Sequence, residues 1–362
     1  MAQFELSQVT WPELGPTSPF IDRRFFEALT LSQSVGEDAG WIPLYFTDSE
    51  SGALLYSFVK GHSYGEYIFD WNWAEAYSRH SLAYYPKLTS MIPLTPSTQP
   101  HFLMREFDAS VARRLLQQLE AFFQTHSCSS LHFLFVTDVE RDFLKDEGYL
   151  IRESFQYHFE NPRYLSFSHF LSTLKAKKAK TIAQERAFPE LRIERVTGEG
   201  LTREHAREMY QFYLSTISKK QSYAYLQEEF FLSVFETMKD KILYVRALLG
   251  DEAIAGSLFF FDQEKLYGRY WGARIDRQNL HFELCYYQGI DFCIEKKLKV
   301  FEAGAQGEHK IPRGFRPVRT YSAHKIKHPG FAQAISGFID AEKKHVASAI
   351  EELSRRLPFR SE

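Results

Sequence analysis

The densest set of groups able to do chemistry is Phe301-Glu-Ala-Gly-Ala-Gln-Gly-Glu-His-Lys310, followed by Arg313, Arg316 and Arg319. Glu302, Glu308 and His309 are candidate proton acceptors, and Lys310 and Arg313 are candidate anion holders. Gly304 and Gly307 allow backbone to approach a ligand and to expose N–H groups. The plainer reading is an exposed basic turn. A second set, His62-Ser-Tyr-Gly-Glu-Tyr-Ile-Phe-Asp-Trp71, places His62, Tyr64, Glu66, Asp70 and Trp71 within ten residues, with Lys87 close behind in Tyr84-Tyr-Pro-Lys-Leu88. Aromatics beside ionisable groups suit a ligand cleft, and the alternative is a packing surface between domains.

Three further motifs are weaker. Gly61-His-Ser-Tyr-Gly65 matches G-x-S-x-G, the nucleophile elbow of serine hydrolases. Too little chain precedes it for the strands and oxyanion loop that the elbow needs. Lys175-Ala-Lys-Lys-Ala-Lys180 carries four lysines on an expected helix, where Lys178 and Lys180 could hold phosphate as point charges. His281-Phe-Glu283 opens another expected helix and adds Glu283 as a base or as a first-turn acid favoured by the helix dipole. The 13 histidines show no paired metal-ligand spacing, so no metal site is expected. Neither a Walker A motif nor G-x-G-x-x-G is present, against P-loop and Rossmann nucleotide sites.

The elements that must position these groups read as mixed α and β. Trp41–Phe46 and Ala53–Lys60 flank the turn Asp48-Ser-Glu-Ser-Gly52, and Glu66–Trp71 is a third extended candidate. Ala109–Phe123 has helical spacing through Val111, Leu115, Leu119 and Phe122. Leu131–Val136 and Tyr149–Phe159 then read as strands. The second half repeats the order: a meander of 242–249, 253–261 and 265–272, a helix over 284–297, and a strand at 300–302. Phe170, Leu171, Leu174 and Ile182 predict a single helix. Phe331–Leu353 predicts a closing amphipathic helix through Ile335, Phe338, Ile339, Ile350 and Leu353. The expected architecture is α/β (α+β), with domains at 1–160 and 161–362 meeting near Asn161-Pro162.

The 362 residues are 44% apolar and 25% charged, which excludes disorder and fibrous repeats. The formal charge of −2 is a cancellation: residues 1–150 carry −9 and the remainder +7, an excess that 296–327 alone accounts for. No run of about 18 apolar residues exists to span a membrane. No basic n-region or apolar h-region opens the chain. Cys128, Cys285 and Cys293 are odd in number and widely spaced. These features predict a cytoplasmic protein with reduced cysteines, Cys285 and Cys293 both facing a core.

The blocks HSYGEYIFDWNWAEAY (62–77), YYPKL (84–88), YGRYWG (267–272), HFELCYYQGID (281–291) and EAGAQGEHKIPRGF (302–315) resemble the FemAB-like proteins of peptidoglycan biosynthesis and recognition, within the GNAT acyltransferase superfamily. The resemblance runs from about Phe25 to Arg360. It implies two GNAT-like domains, each a mixed, largely antiparallel sheet flanked by helices. It also implies an N-acyl- or aminoacyltransferase that moves a group from an activated carrier to an amine, such as that of a peptidoglycan-type precursor. Acyl-CoA and aminoacyl-tRNA are the co-substrates it suggests, with no tightly bound cofactor. The acyl-CoA fingerprint is not met, since the corresponding stretch Arg277-Gln-Asn-Leu-His-Phe-Glu283 has no glycine. No coiled-coil arm of the kind tRNA-dependent members carry is evident. On this reading Glu308 or His309 is the base, with Glu283 in reserve. His62, Tyr64, Glu66, Asp70, Trp71, Lys87, Arg269, Trp271 and Gln306 line the pocket, and Lys178, Lys180, Lys310 and Arg313 hold the anion. The other two readings are a non-catalytic module binding a cell-wall precursor and a serine hydrolase using Ser63.

Overall fold

The computed structural model describes residues 4–15, 17–305 and 307–360. The chain divides into two compact units, 1–155 with 319–348, and 156–318 with 349–362. In the first, helix α1 (Arg23–Leu31) precedes the hairpin of β1 (Trp41–Thr47) and β2 (Leu54–Lys60), registered from Trp41 opposite Lys60 to Thr47 opposite Leu54. Its turn closes because Asp48 accepts from the Ser51 amide and hydroxyl, and Gly52 takes φ +71°. Arg114 then grips Asp48 through two 2.8 Å hydrogen bonds and holds the Asp48 carboxyl well below the usual range.

Helix α2 (Trp71–Arg79), β3 (Lys87–Ser90), β4 (Phe102–Leu103) and α3 (Ala109–Thr125) follow. α3 begins where Asp108 accepts from the Ser110 and Val111 amides. It buries Val111, Leu115, Leu119 and Phe123 against Leu44, Leu55, Leu131 and Phe133. After β5 (Ser130–Leu134), Thr137 and Glu140 form a capping box on α4 (Asp138–Asp146), and β6 (Leu150–Glu160) runs through the boundary at 155/156. β2 pairs antiparallel with β3, and β3 parallel with β5.

The second unit opens with α5 (Phe167–Ser172), α6 (Ala176–Glu185), β7 (Arg192–Thr197), α7 (Arg203–Lys219) and α8 (Glu228–Thr237). The meander is β8 (Ile242–Leu249), β9 (Glu252–Phe261) and β10 (Lys265–Ala273). A turn of α9 (Leu280–Phe282), a π-turn at Glu283–Tyr287 and α10 (Gln288–Lys296) lead to β11 (Val300–Glu302), parallel to β10. Strand order here is β7-β8-β9-β10-β11-β6. The chain then passes through a 3-10 turn, Glu308–Arg313, into β12 (Arg316–Ile326) and α11 (Pro329–Arg355). β12 returns to the first unit, pairing antiparallel with β5 from Ser322–Leu134 to Ile326–Ser130, so that unit has the order β1-β2-β3-β5-β12-β6.

Several expectations need correction. Glu66–Trp71 is not a strand: the stretch bends inward to bury Glu66 and Asp70, and α2 starts at Trp71. The helix read through Phe170 and Ile182 is two helices, because Leu174 leaves helical geometry to bridge Phe359. Phe338 stays exposed on α11, whereas Ile335, Ile339 and Leu353 are buried. The basic stretch 296–327 is mostly ordered as β11, the 3-10 turn and β12 rather than as an exposed turn. The division at 160 takes no account of 319–348 rejoining the first unit, which the β5–β12 ladder enforces.

Candidate functional site

In the second unit β10 pairs with β11 only from Lys265–Val300 to Tyr267–Glu302 and then runs on to Ala273. A register shift against β9 sits between Gly268 and Tyr270, at Arg269. β11 ends at Glu302 and the chain turns away through Gly304 (φ +84°) and Gly307 (φ +118°). The parallel pair therefore opens into a split. Gly272 lets α7 cross β10 closely, since a Cβ there would lie 1.6 Å from the Phe212 carbonyl oxygen.

The split collects basic and aromatic groups. The Arg269 side chain is 2% exposed, with Nη2 3.6 Å from Glu302 Oε2, and Lys265 Nζ lies 3.5 Å from Glu302 Oε1. Lys310 Nζ donates to the Gly304 carbonyl at 2.9 Å. Burial, then the Arg269 charge, pushes the Lys310 amine down to about 7. The His309 imidazole is hydrogen-bonded to the Tyr286 hydroxyl at 2.8 Å. Its pKa is lowered by burial and then by Lys310 and Arg313, which keeps the ring neutral at pH 7. A Cβ at Gly307 would meet His309 Cε1 at 2.4 Å, so glycine is what lets the ring fold back. His281 packs edge-on against Trp271 and Tyr286, both 5.2 Å away, and burial drops it to about 4. Cys285 Sγ lies 3.5 Å from Ser257 Oγ and burial pushes its thiol up to about 12, so it is no nucleophile. Cys293 is fully buried, while Cys285 is partly exposed.

Behind the split lies a lattice of ion pairs. Arg313 Nη2 donates to both Glu185 oxygens at 2.8 Å, its Nη1 donates to the His309 carbonyl at 2.5 Å, and its guanidinium lies 3.5 Å over the Phe282 ring. Tyr287 also donates to Glu185. Arg186 holds Glu283 at 3.0 and 3.2 Å, and Gln288 donates to Glu283 at 2.6 Å. Glu283 and Arg313 are thus engaged in fixing α6 and the π-turn against the 3-10 turn. Glu308 stands exposed, paired with Arg356 at 3.0 Å. Lys178 and Lys180 lie on α6, half-buried and exposed, without an acidic partner among the described residues. Trp271 is half-buried, and Gln306 lies outside the described residues.

The first unit gathers the other expected pocket residues. Lys87 is fully buried at the start of β3, and its ammonium donates to Ser63 Oγ and Glu66 Oε2, both at 2.7 Å, and to Asp70 Oδ2. Tyr84 OH donates to Asp70 Oδ2 at 2.6 Å. Burial opposes the Lys87 charge, but Glu66 and Asp70 outweigh it and hold the amine above its ordinary value. Asp70 occupies the N-cap position of α2 yet does not cap it, forgoing about 1 kcal/mol of helix stability. Lys60 lies 3.3 Å over the Trp41 ring, and burial pushes its amine down to about 6. His62 accepts from the Tyr64 amide and lies 3.1 Å from the Ala39 carbonyl. Tyr64 and Trp71 are exposed, with ring centroids 5.3 Å apart.

This arrangement removes the hydrolase reading. Ser63 faces an ammonium that donates to it and the Tyr85 hydroxyl at 2.8 Å, and a lysine held protonated cannot serve as base. Residues 61–65 also form a loop rather than the strand-to-helix elbow, since α2 begins only at Trp71.

Sequence reasoning missed Tyr286, Lys60, Glu185 and Arg186. The tyrosine is hidden in an apolar helical run, and the other three look like ordinary surface charges until the fold buries or pairs them. It also missed His132 and His324, which face each other across β5 and β12 with Nδ1 atoms 2.7 Å apart, both held neutral by burial. Among the described residues no group of His, Cys, Asp or Glu is placed to hold a metal ion, and no helix is long and apolar enough to cross a membrane.

A solved structure of FemX matches with a TM-score of 0.53 at 9% identity, covering 86% of this chain and 93% of that one. The structure of L-PGS from Bacillus licheniformis matches with a TM-score of 0.53 at 10% identity, covering 96% of this chain and 100% of that one. At such identities the likeness is one of fold. No curated protein matches the sequence. A family model described as peptidoglycan biosynthesis/recognition matches residues 3–361, and the chain belongs to the FemAB-like family.

Proposed function

We propose that the protein transfers an acyl or aminoacyl group from an activated carrier to an amine, at the split between β10 and β11. The observation that carries this reading is a neutral imidazole, His309, beside the buried Lys310 amine, which in turn neighbours the enclosed Arg269 guanidinium, where the parallel strands part. The acceptor amine attacks the carrier-bound carbonyl while His309 accepts its proton. Arg269 and Lys310 stabilise the oxyanion of the tetrahedral intermediate. Collapse expels the carrier's oxygen or sulfur, which takes the proton back from His309. Tyr286 orients the imidazole through the 2.8 Å bond. Glu308, exposed and paired with Arg356, is set aside as base, and Glu283 is set aside by its ion pair with Arg186.

The donor we favour is an aminoacyl ester of tRNA over acyl-CoA. The loop leading into α9 has no glycine to cradle a pyrophosphate, and only Asn279 there takes a left-handed conformation, φ +67°. Lys178 and Lys180 on α6 suit the carrier's phosphates. The family description supports a peptidoglycan-type acceptor.

Transfer of a labelled aminoacyl group, followed in purified protein, tests the reading. His309→Ala is expected to lower the rate by about 10²–10⁴-fold, with unchanged thermal unfolding, whereas Glu308→Gln stays within about threefold of wild type. A His309→Ala protein that transfers at the wild-type rate removes the proposal. Tight ligand binding without turnover in wild type identifies a binding module instead.

A further inference from the structure

The segment between β2 and α2 combines a left-handed tyrosine, an uncapped helix start and a buried carboxylate oxygen without a donor. Tyr67, an aromatic residue, sits at φ +59°. Asp70 stands at the start of α2 but turns its carboxylate inward, and both Glu66 and Asp70 are buried. One oxygen of Asp70 receives both Lys87 and Tyr84. The other, Oδ1, is buried and makes no hydrogen bond. A buried carboxylate oxygen ordinarily has a donor.

We propose that the first unit carries a recognition site for a primary ammonium group, formed by Asp70 and Glu66 beneath a rim of Tyr64, Trp71 and Tyr85. Calling that ammonium the acceptor rests on the transferase reading; its binding does not.

Charge fixes the class of ligand. Two carboxylates, Glu66 and Asp70, face one ammonium, Lys87. The nearby Lys60 does not restore balance at pH 7, because burial against Trp41 leaves its amine largely neutral. His62 is lowered too, first by burial and then by Lys60. Burial also raises the Glu66 carboxyl, yet two carboxylates share one contacting ammonium and Asp70 Oδ1 has no donor, an imbalance that a cation relieves and an anion worsens. A hydroxyl would satisfy Oδ1 but leave the charge, whereas an ammonium does both with three donors.

The rim fits the rest of such a ligand. Tyr64, Tyr67, Phe69 and Trp71 are between 36% and 52% exposed on one short segment. Tyr64 and Trp71 approach with ring centroids 5.3 Å apart and planes tilted by 58°. Tyr85 is half-buried and tied to Ser63. Aromatic faces attract an ammonium and cover an alkyl stem. Lys87 itself shows that this pair of carboxylates accepts an amine on a four-carbon chain.

The test is calorimetric titration of the full chain with 1,5-diaminopentane at pH 7, with 1,5-pentanediol as the uncharged control. The diamine is expected to bind saturably and the diol at least tenfold more weakly. Asp70→Asn should weaken the diamine at least tenfold. Should that variant not fold, Trp71→Ala, which alters only an exposed ring, should weaken it about three- to tenfold. No binding to wild type, equal binding of the diol, or undiminished binding by both variants overturns the proposal. Diamine binding in a protein that transfers nothing leaves this site standing and removes the transferase reading alone.

Discussion

Both units place a parallel strand pair in the interior of their sheets, β3 with β5 and β10 with β11, and they treat the space beyond it in opposite ways. In the first unit β3 stops at Ser90, and the chain from Met91 to His101 packs down, nearly every residue buried. Gln99 N donates to the Phe135 carbonyl, Tyr56 OH to the Pro100 carbonyl, and the His101 amide to Glu140. In the second unit two positive-φ glycines carry the chain away and leave Arg269, His309 and Lys310 at the parting. The first unit thus fills the space beyond its parallel pair, while the second leads the chain away from it. Charge follows the same division. The first unit buries a compensated ammonium, Lys87, between carboxylates, while the second buries Lys310 with a carbonyl acceptor and an arginine for neighbour.

The largest expected effect that sharpens this contrast is on Lys87. Lys87→Ala leaves two buried carboxylates without their partner and should cost about 3–5 kcal/mol in urea unfolding. A loss below about 1 kcal/mol would mean that the charges are less enclosed than the geometry requires. In the second unit, Gly272→Ala drives a methyl group into the Phe212 carbonyl and should cost about 3 kcal/mol. Gly61→Ala, with nothing within 4 Å of the added atom, should stay within about 0.5 kcal/mol of wild type. Equal losses at the two glycines would deny that α7 pins the far end of β10.

A smaller effect concerns Lys60. Its folded pKa, about 6, lies below the ordinary value of 10.5, so between those limits the unfolded chain binds more protons. Stability from this group is present at high pH and is lost as pH falls toward 6. Lys60→Met should therefore stabilise by about 1 kcal/mol at pH 7, with the gain growing from pH 9 to pH 6 in thermal unfolding. A gain that shrinks over that range would reverse the sign and make Lys60 a charged group. The smallest effect is at Arg356, whose exposed pair with Glu308 contributes about 0–1 kcal/mol. Arg356→Gln should barely move either stability or transfer.

What the sequence made legible follows from period and punctuation. The hairpin β1–β2, the meander β8–β10 and the strand β11 were readable because apolar runs are bounded by polar turns such as Asp48-Ser-Glu-Ser-Gly52. The candidate residues were singled out by type, and the fold sets His309 beside Lys310 and Lys310 beside Arg269. Roles were less legible, because they depend on partners distant in the chain. Glu283 reads as a base until Arg186, nearly a hundred residues earlier, is seen to hold it. Lys310 reads as a surface cation until its burial is known. β12 was hidden by its own charges, since Arg316, Arg319 and Lys325 obscure the alternation that Thr320, Ser322 and His324 complete with buried polar side chains.

The return of β12 has a practical consequence for taking the molecule apart. A fragment ending near residue 160 would contain β1 through β6 yet lack the strand that hydrogen-bonds β5 along Ser130–Leu134. All five of those residues are buried in the intact protein. Such a fragment would present an unprotected sheet edge, the kind that recruits other chains, and should aggregate rather than fold. A circularly permuted chain that keeps 319–348 beside 1–155 is the form in which this unit should fold on its own.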